Sequence, residues 1–109
     1  MSRDEIPPGT LYLLILKTLA VRGRLHGFEI ADSIQHNSED ILQVEEGSLY
    51  PALQRMLIKG WVTAEWGQSE SGRRVRFYRL TPAGRKQLGA EVSEFDRVIK
   101  AIYKVIEPA

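Results

Sequence analysis

The chain has 109 residues, 43% of them hydrophobic and 27% charged, with a formal net charge of +1. That is a single domain of ordinary globular balance, which excludes a fibrous protein and a disordered tail. With no cysteine, it cannot hold a disulfide framework, a thiolate zinc site or a cysteine nucleophile, and a reducing compartment fits.

Residues 1–9 read as a flexible arm, broken by Pro7-Pro8-Gly9. Thr10 is the expected N-cap of a first helix through Leu11, Leu14, Ile15, Leu19 and Ala20, closed by Gly23. Leu13 and Leu16 fall on its other side, so this helix is apolar nearly all round and needs cover on two sides. A second helix follows His26-Gly27, with Phe28, Ile30, Ala31 and Ile34 at helical spacing, and frays at Asn37-Ser38. A link through Leu42 and Val44 leads to a third helix, which Ser48 is expected to cap with Pro51 in its first turn. Leu49, Leu53, Met56 and Leu57 form its apolar stripe, and Gly60 ends it.

Two strands come next, Trp61–Trp66 and Val75–Leu80, rich in β-branched and aromatic residues. The turn-forming stretch Gly67–Gly72 between them predicts a hairpin. Trp61 and Trp66 are expected as core and strand-face residues. Thr81-Pro82 then opens a last helix by N-cap and N1 proline, running to about Ile106 ahead of Pro108. Leu88, Val92, Phe95, Ile99, Ile102 and Ile106 recur along it at alternating steps of four and three, a heptad seam that calls for a partner helix. Three helices, a hairpin and a trailing helix make a mostly helical α+β winged helix-turn-helix. Its DNA-binding domain is expected over 10–81 and a dimerisation helix over 82–109.

Charge is divided unevenly. Residues 1–66 carry a net −3 and residues 67–109 a net +4, with Arg73, Arg74, Arg76 and Arg79 as the densest basic stretch. A basic strip on a near-neutral domain is the electrostatic shape expected for the phosphate backbone of a nucleic acid. The apolar run Leu11–Leu16 is too short to span a bilayer, and no basic signal region precedes it, so a cytoplasmic protein without a membrane partner is expected.

On the third helix, the face opposite Leu49, Leu53 and Met56 presents Ser48, Tyr50, Pro51, Gln54 and Arg55. Arg can bond guanine bidentately, Gln can pair with adenine, and Tyr can reach a phosphate. The competing reading is an ordinary solvated helix face. Arg73 and Arg74 near the hairpin tip are expected to grip phosphates. Arg76 is counted with them, although strand alternation leaves both Arg76 and Arg79 open between DNA and a solvated edge. His26 and Gly27 are candidates to offer N–H groups to a phosphate. The alternative is a tight turn at Gly27 with His26 as a half-buried cap. His26 and His36, ten residues apart beside Glu29, Asp32 and Glu39, match no usual metal-ligand spacing, so no metal and no cofactor are expected. Glu45-Glu46 precede a helix N-terminus, where negative charge is simply favourable. No phosphate-cradling glycine loop, Gly-x-Ser-x-Gly elbow or metalloprotease helix pair occurs, and catalysis has no candidate residues.

Thr10–Leu19, Leu25-His26-Gly27-Phe28-Glu29-Ile30 and Glu46-Gly47-Ser48-Leu49-Tyr50-Pro51-Ala52-Leu53-Gln54-Arg55-Met56 resemble the PadR family of transcriptional regulators. So do Trp61-Val62 and Arg73–Gly84, which look like that family's wing and hinge. The resemblance covers about residues 9 to 88, and the single short C-terminal helix looks like the compact branch. It implies a homodimeric winged-helix repressor on an inverted-repeat operator, with the C-terminal helix packed against the partner's first helix. It also implies a small aromatic or drug-like effector in some members, in a cavity at the dimer interface. Phe95 falls at a comparable position to that cavity's aromatic, where many relatives carry Trp. The competing function is a winged-helix protein-interaction module without specific DNA binding.

Overall fold

The structure, a computed structural model, describes residues 9–107. Apart from Gly9, the arm expected over residues 1–9 lies outside the described residues, and so does Pro108. The elements run α1 (Thr10–Arg22), β1 (Leu25–His26), α2 (Gly27–Asn37), α3 (Glu46–Ile58), β2 (Val62–Gln68), β3 (Arg74–Leu80) and α4 (Pro82–Ile106). This is the expected mostly helical α+β architecture. The sheet is antiparallel with order β1-β3-β2.

Helix α1 is the hub, packed against α2, α3, α4 and β3. Ile15, Leu16 and Leu19 are fully buried by the chain's own packing, whereas Leu13, on the other side of the helix, is only partly covered. Around them, Leu25, Ile30, Ile34, Leu49, Ala52, Leu53, Met56, Val62 and Tyr78 complete one core cluster.

The structure differs from several sequence expectations. Gly9, in the left-handed region at φ 86°, is the N-cap of α1, and Thr10 is its first helical residue. Helix α3 starts earlier than expected, with Glu45 as N-cap and no bond from Ser48 as a cap. The amides of Ser48 and Leu49 both donate to the Glu45 carbonyl, so the first turn closes before Ser48 is reached. Pro51 therefore sits in the second turn, where its absent N–H leaves the Gly47 carbonyl without its i+4 donor. Ala52 joins the buried stripe of α3, and Leu57 is only partly buried. Phe28 is 70% exposed, not core. Trp61 precedes β2 and packs partly against the core, whereas Trp66 is 58% exposed. The hairpin is longer than expected, its strands reaching Gln68 and Arg74, because the ladder continues through Gly67↔Val75 and Gln68↔Arg74. The two-residue strand β1 is too short to leave a periodicity in sequence, and it exists because Leu25 and His26 pair with Tyr78 and Phe77.

Helix α4 is locked at its start and free further on. Thr81 accepts from the Gly84 amide at 3.0 Å, as its capping role predicts, and its hydroxyl donates to the Gly60 carbonyl at 2.7 Å. Its backbone N–H donates to the Trp61 carbonyl. Gly84 is buried there, and a Cβ on it would come within 2.1 Å of the Trp61 carbonyl oxygen. Beyond Glu91 every residue of α4 except Ile99 is exposed.

Candidate nucleic-acid interface

Strand alternation decides which arginines share a face. On β3, positions 74, 76, 78 and 80 point one way, and positions 75, 77 and 79 the other. The first set faces inward, with Tyr78 in the core opposite Ala64 and Leu80 opposite Val62. Towards the hairpin tip the same face leaves the core and becomes Arg76 opposite Trp66, then Arg74 opposite Gln68. Arg74 and Arg76 thus overhang a cleft, and Arg79 lies on the far side of the sheet. There Arg24 stacks over Phe77 at 3.7 Å and donates to Glu65 at 2.6 Å, holding the Glu65 carboxyl below its ordinary value of 4.5. Gly67 allows this close approach, since a Cβ would meet the Phe77 ring at 2.8 Å.

Helix α3 has three strips. Leu49, Ala52, Leu53 and Met56 are buried. Glu46, Tyr50 and Gln54, spaced by four, face the hairpin across the cleft. Ser48, Pro51 and Arg55 form a third, exposed strip outside the cleft lining, of which Arg55 reaches α1. Arg55 Nε donates to the Tyr12 hydroxyl, and Tyr12 in turn meets Trp61 edge-on at 5.6 Å. The five candidates of this helix are therefore split between two faces.

The cleft encloses about 890 Å³ between α3, the start of α2 and the inner face of the hairpin. His26, Gly27, Tyr50, Gln54, Arg73, Arg74 and Arg76 all line it, so seven of the ten predicted DNA-contact residues meet in one place. His26 is half-buried and is the N-cap of α2, its backbone N–H donating to the Glu29 carboxylate at 3.1 Å. Gly27 is buried under the Tyr50 ring, and a Cβ there would come within 2.7 Å of the Tyr50 hydroxyl oxygen. Sequence reasoning missed Phe28 and Trp66 as cleft residues, having read Phe28 only as part of the helical spacing of α2 and Trp66 as a core or strand-face residue. It also missed Tyr78, whose phenol is pushed above its ordinary 10.0 by burial, with the adjacent Arg76 acting in the opposite sense. Glu29 and Glu46 at the helix starts and Glu70 in the hairpin turn are in the lining too, so acidic groups share the cleft with the hairpin arginines. Cationic guanidinium groups on one wall and a Gln on a helix opposite are chemically suited to a polyanion that also carries hydrogen-bonding edges.

Along α4, Leu88 and Ile99 are partly buried, whereas Val92, Phe95, Ile102 and Ile106 are exposed. The seam residues thus form an apolar stripe that this chain leaves largely open. Among the described residues no helix is long and apolar enough to cross a membrane, and no group of three or more His, Asp or Glu is placed to hold a metal ion.

Residues 15–90 match the family described as transcriptional regulator PadR-like. An uncharacterized protein X of Lysinibacillus sphaericus is 30% identical over 102 residues, covering 94% of this chain and 93% of that protein. A transcriptional regulator from Clostridium thermocellum superposes with a TM-score of 0.81 at 27% identity, over 91% of this chain and 95% of the other. A PadR family transcription regulator from Clostridium difficile gives a TM-score of 0.70 at 31% identity, over 88% and 96%.

Proposed function

This chain belongs to the PadR-like family of transcriptional regulators, and from that premise we propose that it is a cytoplasmic, homodimeric repressor that binds an inverted-repeat operator through the cleft. The carrying observation is the convergence of Arg73, Arg74 and Arg76 from the hairpin with Tyr50 and Gln54 from α3 on one concave surface. In this reading α3 enters the major groove with Gln54 against base edges, while the hairpin arginines neutralise flanking phosphates as the wing of a winged helix. Ser48, Pro51 and Arg55 meet the groove along the second exposed strip of α3, and His26 and Gly27 approach the backbone at the start of α2.

Residues 10–81 are the DNA-binding unit and α4 is the dimerisation helix. A two-fold dimer carries two copies of α3, so the operator half-sites would lie about 34 Å, one helical turn, apart. The Thr81–Gly60 and Thr81–Trp61 hydrogen bonds tie the start of α4 to the end of α3. The dimer axis would thereby control the spacing of the two recognition helices. A small aromatic effector near Phe95 would act through the same link.

A gel-retardation titration of DNA from upstream of the chain's own gene, with random duplex as competitor, tests the reading. Retardation that survives competitor, with two protomers per operator by sedimentation, is the expected result. No retarded species between 50 and 200 mM salt would overturn DNA binding, and α4 would then serve a protein partner.

A further inference from the structure

On the wing, Trp66 is an exposed ring whose neighbours are both cationic: the Arg74 guanidinium lies 4.4 Å from its centroid and that of Arg76 5.7 Å. We propose that Trp66 belongs to the nucleic-acid interface, holding Arg74 and Arg76 over the cleft in the free protein and lying against the sugar–phosphate edge of a bound duplex. This rests on the DNA-binding reading above and adds to it a residue whose own chemistry carries no charge.

Three observations carry it. The ladder puts Trp66 directly opposite Arg76, on the hairpin face that runs outward from the core, so the ring lines the cleft and does not face the outer side of the sheet. A core role is excluded by its exposure, since Val62 and Ala64 before it on that face make the packing contacts. Among the described residues neither Arg74 nor Arg76 is in an ion pair, and Arg76 Nε is shut off from water without a hydrogen-bond partner. Guanidinium groups without carboxylates are otherwise free to sample many rotamers. An aromatic face restrains them by cation–π attraction while leaving their N–H edges for an anion. A donor buried without a partner is a cost in the free protein that an adjacent phosphate offsets electrostatically. A carboxylate in place of the ring would hold the same arginines but cancel their charge.

The test is a titration with a random-sequence duplex of about 30 base pairs, followed by tryptophan emission and by gel retardation on the same samples. Wild type contains Trp61 and Trp66, and Trp66→Phe retains only the partly buried Trp61. Duplex should change the emission of wild type saturably and leave that of Trp66→Phe unchanged. Trp66→Ala should weaken binding about tenfold and Trp66→Phe about threefold, each with the same thermal midpoint as wild type and the same salt slope, because no charge is removed. In the Trp66→Ala background, Arg74→Ala should cost less affinity than in wild type, the non-additivity of residues that act together. The inference is overturned if Trp66→Ala binds within twofold of wild type, or if retardation is complete with no change in emission. If wild type itself retards no duplex, the DNA-binding reading falls and takes this inference with it.

Discussion

At the scale of single residues, the cleft assigns different work to neighbours on one helix. Gln54 faces the hairpin arginines across the cleft, and Arg55, one position on, is held by the Tyr12 hydroxyl on the opposite strip. Gln54→Ala should cost about 1–3 kcal/mol at one operator position and relax base preference there, measured by competition among half-site variants. If all positions keep their preference, Gln54 reads no base. Gly27 is a second pivot, because Tyr50 lies where its Cβ would be. The clash in Gly27→Ala is with the end of a flexible side chain, so the change should leave the thermal midpoint within a few degrees of wild type but swing the Tyr50 ring out of the cleft wall. DNA affinity should then fall in Gly27→Ala and not fall further when the same change is made on Tyr50→Ala, since the displaced group is already gone. Equal losses in both backgrounds would place the effect in the α2 backbone.

At the scale of elements, the wing is braced from behind and charged in front. Arg24, stacked on Phe77 and bonded to Glu65, ties the α1–β1 link to the outer face of the hairpin, while the inner face carries Arg74 and Arg76. Removing Arg73 and Arg74 together should weaken binding to operator and random duplex in similar proportion. The slope of log affinity against log salt should drop by about 0.9 for every phosphate that each wing no longer neutralises. An unchanged slope would mean that the tip faces away from the duplex. At the other end of the sheet, α4 begins against a backbone carbonyl that cannot move aside as a side chain would. Gly84→Ala should therefore destabilise by about 1–3 kcal/mol, through overpacking at the Trp61 carbonyl, and lower the thermal midpoint accordingly. A midpoint equal to wild type would show that the α4 start shifts freely.

At the scale of the whole molecule, the proposed dimerisation seam lies apart from the core. The core cluster is drawn from α1, α2, α3 and the sheet, while the outer two-thirds of α4 contributes little to it and leaves Phe95 and Ile102 more than two-fifths exposed. Ile99 lies mid-seam between them. Ile99→Asp would place an unpaired charge in an apolar interface, at a cost of several kcal/mol if it stays buried, comparable to the margin of a small domain. The expected result is a folded monomer, since Ile99 is outside the core cluster, with operator affinity reduced by the loss of two-site binding. Sedimentation and a binding titration on that variant check both parts. A variant that stays dimeric, or a monomer that binds a full operator as tightly as wild type, would remove α4 from the dimer interface.

Sequence alone determined the order of the helices and the hairpin, the family and the charged strip, because each is local. Helical spacing, the Thr81-Pro82 cap, Gly60 and Gly23 as stops, and the 4-3 seam are all set by residues within a turn or two of one another. It picked out the polar face of α3 and the wing arginines as separate candidates for the same reason, but not that Tyr50 and Gln54 alone of that face look onto the arginines. What it could not decide was which exposed or apolar side chain meets which neighbour across the chain. Phe28 has helical core spacing yet faces out, because the core beside it is filled by Ile30 and Ile34 from the same helix. Trp66 continues a strand pattern that is buried at Val62, but the hairpin outruns the body of the domain before the ring is covered. Strand β1, the split of Arg76 from Arg79 and the capture of Arg55 by Tyr12 depend on partners about 40 to 50 residues away or on the register of a ladder. Periodicity says that a side chain shares a face with others; only the packed tertiary structure says what that face looks onto.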